Sequence, residues 1–477
     1  MKRELRWYDY ITINIYWFSL TTRAQTLTPM VLPLLVQRYM GEAAKGAAVG
    51  TIRLWGLMIA VLIQALMGLL SDRCQSRFGR RRPYIVVGTI AELLVLSLIG
   101  VSAQVNTGTV GYWTFFALYM CSMISSNTAH AATTALIPDL VPEGDRGKHS
   151  GTKALFELPV PLIFVSLIIS RMVSRGDIWG PLITVMVVQV VCMIITLFAP
   201  EQPLEQEPEP FDWQPFLRLF VMTAAFTVII LGMGAAAKLV TRLPVSLPDF
   251  WAGFILAAVA LLTMGIAVLV GVWLSVRISI GEDMKRYPSY VWWVVNRLAF
   301  LVGANNLSGF ILYYLQERFP EMSGAKAAGP ASLAMMVVGV LILLTAVPSG
   351  YLSDRFGKKR LTLLAAMVAT VGTGIVVMIP SMVAVNIGAA IVGIGIGLFY
   401  ASNWALGTSV VPREEAGRYM GLSNLAGAGA GAIGAYIGGP LADYAGYVVL
   451  FIVYGLMFGL SALALLGIKE PPLATEG

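Results

Sequence analysis

Charged residues are scarce in this chain. Only 12% of its 477 residues are Asp, Glu, Lys or Arg, whereas 57% are hydrophobic, and the mean hydropathy is +0.76. Soluble globular proteins carry about 25% charged residues, so the composition excludes an ordinary member of that class and favours a bilayer protein. Three scattered cysteines, Cys74, Cys121 and Cys192, are too few for a disulfide framework or a zinc site.

Several sequence patterns are also missing. A transmembrane β-barrel needs short segments in which apolar and polar residues alternate. The apolar runs of this chain, such as 85–105 and 181–199, are continuous and suit membrane helices. The N-terminus lacks an apolar core followed by a cleavage site, so we expect no signal peptide. There is no phosphate-binding loop of the Gly-x-x-x-x-Gly-Lys-Ser/Thr kind, which argues against ATP as the energy source. No nucleophile–base or metal-ligand constellation is evident, so we expect no enzymatic activity, no cofactor and no metal.

The apolar runs predict about fourteen membrane spans. We expect an all-α membrane protein with a six-helix bundle at 1–200, an acidic linker and two extra helices at 201–287, and a second six-helix bundle at 288–477. The predicted spans lie near 10–37, 48–70, 84–104, 112–138, 153–173, 179–199, 216–238, 250–276, 289–316, 329–352, 361–380, 382–411, 419–440 and 446–467.

The basic residues predict the orientation. With the N-terminus in the cytoplasm, the cytoplasmic segments hold about 22 Lys and Arg and the outer segments about 9. We therefore expect both termini to be cytoplasmic. The expected location is the cell membrane, and the expected form is a monomer. Because membrane topology accounts for the net charge of +7, we expect no nucleic acid partner.

Two sequence pairs indicate an internal repeat. "RFGRRR" at 77–82 returns as "RFGKKR" at 355–360, an offset of 278, and the segments that start at Val141 and Val411 agree at an offset of 270. Both pairs fall at equivalent loops of two six-helix halves in parallel orientation. Halves related by an axis along the membrane normal are the architecture of one large class of secondary transporters.

The loops carry a family resemblance. "GYLSDRFGKKR" at 350–360 resembles the signature loop of the major facilitator superfamily. "GLLSDR" at 68–73 is followed by a short insertion before "RFGRRRP" at 77–83, a form that resembles the plant sucrose-transporter and glycoside–pentoside–hexuronide branches. The resemblance implies a major facilitator-type fold with two pseudo-symmetric bundles, here with two extra helices.

The resemblance also implies a role for the loops. In the family, the loop aspartate of one half meets the positive N-terminal end of the fifth helix of the other half, so Asp72 would face the Gly421 end and Asp354 the Gly151 end. Such contacts, termed latches here, would hold the cytoplasmic side closed. The alternative is that the arginines only fix topology. Asp139 is a candidate partner of the loop arginines. The predicted gate residues, of which Gly68 and Gly350 would permit close helix approach, are Gly68, Asp72, Arg73, Arg77, Gly79, Arg80, Gly350, Asp354, Arg355, Gly357 and Lys358.

Polar side chains inside spans are functional candidates, because they are costly in lipid. An arginine lies within the first span of each half, Arg23 and Arg297, and the alternative role for such an arginine is structural bonding to backbone carbonyls. Amide and aromatic side chains suit the binding of sugar hydroxyls and rings, although a Trp also serves as plain packing. The predicted substrate cavity comprises Arg23, Gln25, Asn127, His130, Arg297, Asn305, Asn403 and Trp404.

Three residues are candidates for proton coupling: Glu92, Glu157 and His130. Removal from water favours the neutral, protonated form of a carboxyl group, and an imidazole titrates close to neutral pH. The alternatives are ion pairing of each glutamate with a neighbouring basic group and simple hydrogen bonding of the histidine.

The spans also differ from two known branches. The fifth span lacks the glycine-rich proline motif of proton-driven drug exporters, and the second span lacks the aspartates of sodium-coupled melibiose-type carriers. We therefore expect a secondary transporter that moves a small polar solute, a sugar or glycoside, with protons by alternating access. The alternatives are an exporter of an amphipathic or toxic compound and a non-transporting relative that acts as an assembly factor or receptor.

Overall fold

A computed structural model describes residues 5–203, 212–241, 249–281, 286–411 and 416–469. Within these ranges the chain is helical and contains no β-strand. Part of the predicted acidic linker, 204–211, and both chain ends lie outside the described residues.

The helices form fourteen spans in the described ranges, as predicted, and we number them in chain order. Eleven of them, all except spans 1, 4 and 13, are long and apolar enough to cross a membrane. Spans 1 and 5 are each built from several helical pieces. Span 1 comprises Asp9–Asn14, Tyr16–Thr26, Leu27–Val31 and Leu32–Met40, and span 5 comprises Arg146–Glu157, Pro159–Phe164, Val165–Ile169 and Ser170–Ser174. The other spans are Lys45–Asp72, Arg82–Val105, Gly108–Leu140, Trp179–Thr196, Gln214–Thr241, Asp249–Ile280, Pro288–Arg318, Ala328–Phe356, Lys358–Met378, Met382–Val410, Ala416–Ala445 and Tyr447–Ala464.

Prolines lie at or close to the interruptions of spans 1 and 5, except for the break at Ile15. Proline removes one backbone donor and clashes with the preceding turn. In span 1 the chain forms a π-helical turn at Leu27–Val31, where the Leu32 N–H bonds the Leu27 carbonyl. This turn contains Pro29 and is followed by Pro33. Span 5 is likewise interrupted ahead of Pro159 and again by a π-helical turn at Val165–Ile169.

The start of span 5 corrects one boundary. The sequence places this helix from about 153, with its N-terminal end near Gly151, whereas the helix begins at Arg146 after a 3₁₀ turn at Glu143–Asp145. The first turns are polar and so lie outside the apolar run from which the span was read. Gly151 therefore lies in the second turn, and the positive end of the helix is about one turn earlier than expected.

The chain divides into two compact units. The first comprises residues 1–40, 55–219 and 324–332, and the second comprises the remaining residues. Spans 2 and 10, which are equivalent in the repeat, are each divided between the units. The sequence predicts three parts with boundaries at 200 and 287, and this division stays a prediction. The two units are defined by contacts between residues and do not follow the boundaries of the sequence repeat.

The same helix pairs pack together in both halves. In the first half, span 3 packs on span 4, span 1 on spans 5 and 6, and span 3 on span 6. In the second half, span 11 packs on span 12, span 9 on spans 13 and 14, and span 11 on span 14. These are the same pairs when the spans are counted from the start of each half. The predicted pseudo-symmetric pair of six-helix bundles is therefore confirmed.

The backbone of the two signature loops repeats as well. Gly79 and Gly357, which are 278 residues apart, have φ angles of +102° and +92°. Residues with a Cβ rarely adopt this conformation, so glycine is required in both loops. Each glycine lies just before a helix that begins at Arg82 or Lys358.

The two extra helices, spans 7 and 8, belong to the second unit from Phe220 onward. Span 8 packs on spans 9, 13 and 14. Phe226 of span 7 is buried against glycines of spans 8 and 13, since a Cβ added to Gly271 or Gly429 would collide with its ring. The extra pair is thus an integral part of the C-terminal helix packing.

Two glycines allow a close approach of spans 2 and 13 within the second unit. A Cβ added to Gly46 or to Gly439 would collide with the main-chain oxygen of the other. Next to this contact, the Asp443 carboxylate accepts the N–H groups of Gly46 and Ala47, each at 2.7 Å. A carboxylate at a helix N-terminus is stabilising because free N–H groups and a partial positive charge meet there.

Gly439→Ala should destabilise the protein by about 1–3 kcal/mol, because the new methyl group has no room against the backbone of Gly46. The measurement is the thermal unfolding of the purified protein in detergent. Gly459→Ala is the matched control, since no atom lies within 4 Å of the position that its Cβ would take. Equal melting temperatures for the two variants would contradict the close packing.

Candidate functional site

A buried ion pair lies in the first unit. Arg23 of span 1 and Glu92 of span 3 are 5% and 1% exposed, and the distance between Arg23 Nε and Glu92 Oε1 is 2.8 Å. Ser122 of span 4 accepts a hydrogen bond from Arg23 Nη2 and donates to Glu92 Oε1 at 2.6 Å. Ser125 donates to Glu92 Oε2. Both carboxylate oxygens therefore have hydrogen-bond donors, as a buried charge requires.

Neighbouring contacts hold the three helices in this register. One turn from Glu92, Thr89 Oγ1 and the Tyr16 hydroxyl are 2.6 Å apart, which joins spans 1 and 3. Spans 3 and 4 approach closely at Gly88, where an added Cβ would lie 2.8 Å from the Ser125 carbonyl oxygen and the Ala129 nitrogen. The position of the ion pair thus depends on Gly88, which allows spans 3 and 4 to approach closely, and on Tyr16, which joins spans 1 and 3.

The other predicted polar residues of the first unit lie outside this network. His130 contacts the edge of the Trp17 ring with centroids 5.2 Å apart, and Lys153 Nζ lies 3.8 Å from the centre of that ring. Glu157 pairs with Lys153 at 3.5 Å, one turn away on span 5. Asn127 bonds a carbonyl of its own helix, and Gln25 is half-buried.

A second polar cluster lies in the second unit. Arg297 Nη1 of span 9 donates to Asn403 Oδ1 of span 12 at 3.1 Å, and Asn403 Nδ2 donates to Asn296 Oδ1 at 2.7 Å. Asn296 in turn donates to the carbonyl and the hydroxyl of Ser461, both at 2.8 Å. The Arg297 guanidinium lies over the Trp404 ring, 5.3 Å from its centre. Three predicted cavity residues, Arg297, Asn403 and Trp404, are therefore brought together.

Asn305 is the remaining predicted cavity residue of this unit. Its side chain donates to the Gly427 carbonyl at 3.2 Å, and its own carbonyl accepts from Arg53 Nη2 at 3.2 Å. It therefore lies at a contact between spans 2, 9 and 13 and not in the Arg297 cluster.

The first signature loop is tied together within its own unit. Arg81 Nε donates to Asp139 at 2.8 Å, Arg81 Nη1 donates to Ser71 at 2.6 Å, and Arg81 Nη2 bonds Asp72. Arg80 pairs with Asp139 at 2.5 Å. Asp139 is thus a partner of the loop arginines, as expected, but it belongs to the same half and does not lie across from it.

The loop also fixes the end of span 6. Glu201 accepts the N–H groups of Arg81 and Arg82 at 2.5 and 3.1 Å, and Arg82 donates to the Ala199 carbonyl. Burial raises the pKa of the Glu201 carboxyl, and the bonds from these N–H groups oppose that rise. In the second loop, Lys359 Nζ donates to the Ile468 carbonyl beyond span 14 at 2.6 Å. Each loop therefore binds the end of the last helix of its half.

The remaining gate residues make local contacts or are exposed. Arg73 bonds the Leu69 carbonyl of its own helix. Arg77 and Arg355 each lie over the adjacent phenylalanine ring, Asp354 is exposed, and Lys358 starts span 11.

Two glycines of the predicted gate, Gly68 and Gly350, do not make the close helix contacts expected of them. Among the described residues, nothing lies within 4 Å of a Cβ added to Gly68 or Gly350, so close packing does not occur there. It occurs at Gly46 and Gly439, where two helix backbones meet. Whether the loop aspartates form latches stays a prediction, and the side chains around Gly421 lie outside the described residues.

Several site residues were not identified from the sequence. Ser122 and Ser125 hold Glu92, Asn296 and Ser461 orient Asn403, and Arg81 is the centre of the first loop. The spacing of Ser122, Ser125 and Ala129 on one face of span 4 was a usable signal. Ser461 was not part of such a pattern on span 14.

Comparison with known proteins agrees with this architecture. A family model described as Major Facilitator Superfamily matches residues 15–315 and 307–477. The sucrose transport protein SUT1 of Oryza sativa subsp. japonica is 38% identical over 79 residues, which is 17% of this chain and 14% of that protein. Proton-associated sugar transporter A of Homo sapiens is 35% identical over 108 residues, with 20% and 14% of the two chains covered.

The solved crystal structure of a D-xylose-proton symporter has a similar fold. It has a TM-score of 0.64 at 15% identity and covers 97% of this chain and 98% of its own. At that identity the likeness shows the fold alone, and the matches to the two sugar transporters span only about a seventh of their length. The three relatives are transporters by name and none is an enzyme. Since the family model covers nearly the whole chain, this protein belongs to the Major Facilitator Superfamily and is a multi-pass integral membrane protein.

Proposed function

We propose that this protein is a secondary transporter that moves a sugar or glycoside together with protons by alternating access. The Arg23–Glu92 ion pair is the observation that carries the proposal. Ionisable groups at membrane depth are costly and typically mark ion or substrate pathways. The names of the relatives, which include sucrose and proton-associated sugar transporters, support the same substrate class.

Glu92 is the proposed proton site. When its carboxylate is ionised, it pairs with Arg23 and accepts from Ser122 and Ser125. A proton on Glu92 would remove the negative charge, weaken the pair and release donors of Arg23. Spans 1, 3 and 4 would then be held less tightly. Protonation would therefore change the relative stability of two arrangements of these helices, one with the ion pair intact and one with it broken. Glu157 is less suited, because it is less buried and its partner is one turn away on the same helix.

The Arg297 cluster is the proposed substrate site of the second half. An amide, a guanidinium and an indole ring within one cluster provide hydrogen bonds for hydroxyl groups and an apolar face for a sugar ring. Asn403 is held in one orientation by Asn296 and Ser461, so the site is preorganised.

The setting of the protein is part of the proposal. The excess of basic residues in alternate loops supports cytoplasmic termini, and the cell membrane is the proposed location. The proposed working form is a monomer, because each half contains its own polar cluster.

Glu92→Gln should abolish proton-driven sugar accumulation but preserve exchange of labelled for unlabelled sugar. Glutamine resembles protonated glutamate and cannot release a proton. The measurement is uptake into proteoliposomes with and without a pH gradient. Glu157→Gln is the matched control and should retain gradient-driven uptake. Retained sugar accumulation by Glu92→Gln would contradict the role of Glu92 in proton coupling. Efflux driven by the pH gradient in the unmodified protein would favour an exporter.

Asp72→Asn combined with Asp354→Asn should strongly reduce transport without reducing the amount of protein in the membrane. The loop aspartates would no longer stabilise the state that is closed to the cytoplasm, and each such contact is worth about 1 kcal/mol. Transport rate and membrane abundance are both measured. Full activity in the double variant would remove the latches from the account.

A further inference from the structure

A groove of about 530 Å³ lies on the surface of the first unit between spans 2, 3 and 4. Most of its lining is apolar and includes Met67 of span 2, Val87 and Ala91 of span 3 and Ile124 of span 4. Val87 and Ile124 are 62% and 40% exposed, so the groove opens on the side where these membrane spans meet lipid. An apolar occupant is favoured in such a groove, because its surface is removed from water.

The dimensions of the groove fit one hydrocarbon chain. Its lining on span 3 extends from Tyr84 to Val95, which is about 17 Å along a helix axis. One leaflet contributes about 15 Å to the hydrocarbon core of a bilayer. The volume spread over this length gives a cross-section of about 30 Å², whereas an α-helix with its side chains is about 10 Å wide and has a cross-section of about 80 Å². The groove is therefore too narrow for a helix of another protein and suits an acyl chain.

The two buried hydroxyl groups of the lining already have acceptors. Thr128 Oγ1 donates to the Ile124 carbonyl at 2.8 Å, and Ser125 donates to Glu92 Oε2. Gly88, which lies next to the Ser125 carbonyl, adds no side chain to the lining. A polar ligand such as a sugar would therefore gain little here, whereas an acyl chain needs no hydrogen bonds.

One end of the groove lies at the first signature loop. Cys74 of the loop and Pro83 at the start of span 3 belong to the lining, and Arg77 lies between them in the sequence. Residues 73–82 include five arginines, and the described ranges provide three carboxylates that bond this loop: Asp72, Asp139 and Glu201. The loop therefore keeps an excess of positive charge, and Arg77 is exposed beside the Phe78 ring. Basic clusters next to a membrane helix attract anionic lipid head groups.

We propose that this groove binds an acyl chain of an anionic glycerophospholipid, with the lipid phosphate at Arg77. The apolar groove and the basic loop are continuous, and a phospholipid presents the same sequence of an apolar chain and a charged head. A guanidinium matches phosphate geometry with paired donors. The lipid belongs to the leaflet on the side of the signature loop, which is the cytoplasmic leaflet in the proposed orientation.

The bound chain would lie against the Glu92 network. Ser125 is 4% exposed and lines the groove. Its hydroxyl carries one proton but has three acceptors within reach, which are Glu92 Oε2 and the carbonyl oxygens of Cys121 and Ser122 at 3.1 and 3.2 Å. Water that entered the groove would compete for this hydroxyl, whereas a lipid chain excludes water. Occupancy of the groove therefore favours the bond from Ser125 to Glu92.

The test measures lipid binding by native mass spectrometry of the purified full-length protein. Phosphatidylglycerol and phosphatidylcholine with the same oleoyl chains are compared, and we expect phosphatidylglycerol to bind at least about fivefold more tightly. Ala91→Phe places a ring in the groove and should weaken the binding of both lipids by about tenfold or more. Val87→Trp should have the same effect, and its position is exposed enough to accept the larger ring. Ala224→Phe is the matched control, since Ala224 is exposed at a similar depth on span 7.

Arg77→Gln tests the head-group contact. It should weaken the binding of phosphatidylglycerol by about fivefold and change that of phosphatidylcholine little. Arg175→Gln is the matched control, because it removes one exposed arginine at the end of span 5. The melting temperatures of the lipid-free variants show whether each one folds.

The binding results decide the site without any sugar. Binding of phosphatidylglycerol that neither Ala91→Phe nor Val87→Trp weakens would overturn the groove as its site. Equal affinities for the two lipids, or no effect of Arg77→Gln, would overturn the anionic head group.

The link between the groove and Glu92 rests on the proposed function and has its own measurement. In proteoliposomes of phosphatidylcholine alone, the unmodified protein should lose most of the gradient-driven sugar uptake that it shows with phosphatidylglycerol present. Ala91→Phe, whose ring occupies the groove, should respond little to the change of lipid. An equal loss in both proteins would contradict the link. No sugar uptake by the unmodified protein in either lipid would contradict the proposed function and leave the binding results unaffected.

Discussion

The Arg23–Glu92 ion pair is the interaction on which the proposed account depends. Two charges that are almost fully buried must compensate each other, and each remaining oxygen or N–H group needs a partner. The serines of span 4 meet that need, so three helices share one charge network. A buried ion pair adds little net stability compared with a neutral core. Its presence at membrane depth is therefore better explained by function, because a single proton can disturb the contacts of all three helices.

The two halves share their helix packing but differ in their chemistry. Equivalent helices meet in both halves, and both signature loops use a glycine with positive φ and a basic residue that binds the end of the sixth helix of the half. The arginines of the first helices are also repeated, yet only Arg23 has an acidic partner in the described chain. Under the proposed function, the first half handles the proton, and the polar cluster around Arg297 in the second half binds the sugar.

The fold was largely predictable from the sequence, and the site only in part. Continuous apolar runs determine where helices cross the membrane, and the repeated loops predicted the paired bundles. The polar first turns of span 5 were missed, because hydropathy does not register a helix that continues into water. The sequence identified Arg23 and Glu92 as separate candidates, but their pairing depends on the register between spans 1 and 3. Close packing was expected at Gly68 and occurs at Gly46 and Gly439, since only the tertiary arrangement decides which glycines meet.

A double-mutant cycle between Arg23 and Glu92 measures whether the two buried side chains depend on each other. The free energy of unfolding is measured at neutral pH for Arg23→Gln, Glu92→Gln and the double variant. Each single variant leaves one buried charge unpaired and should lose about 3–5 kcal/mol, whereas the double variant should be close to the unmodified protein. Losses that simply add in the double variant would show that the two side chains do not interact and would contradict the account.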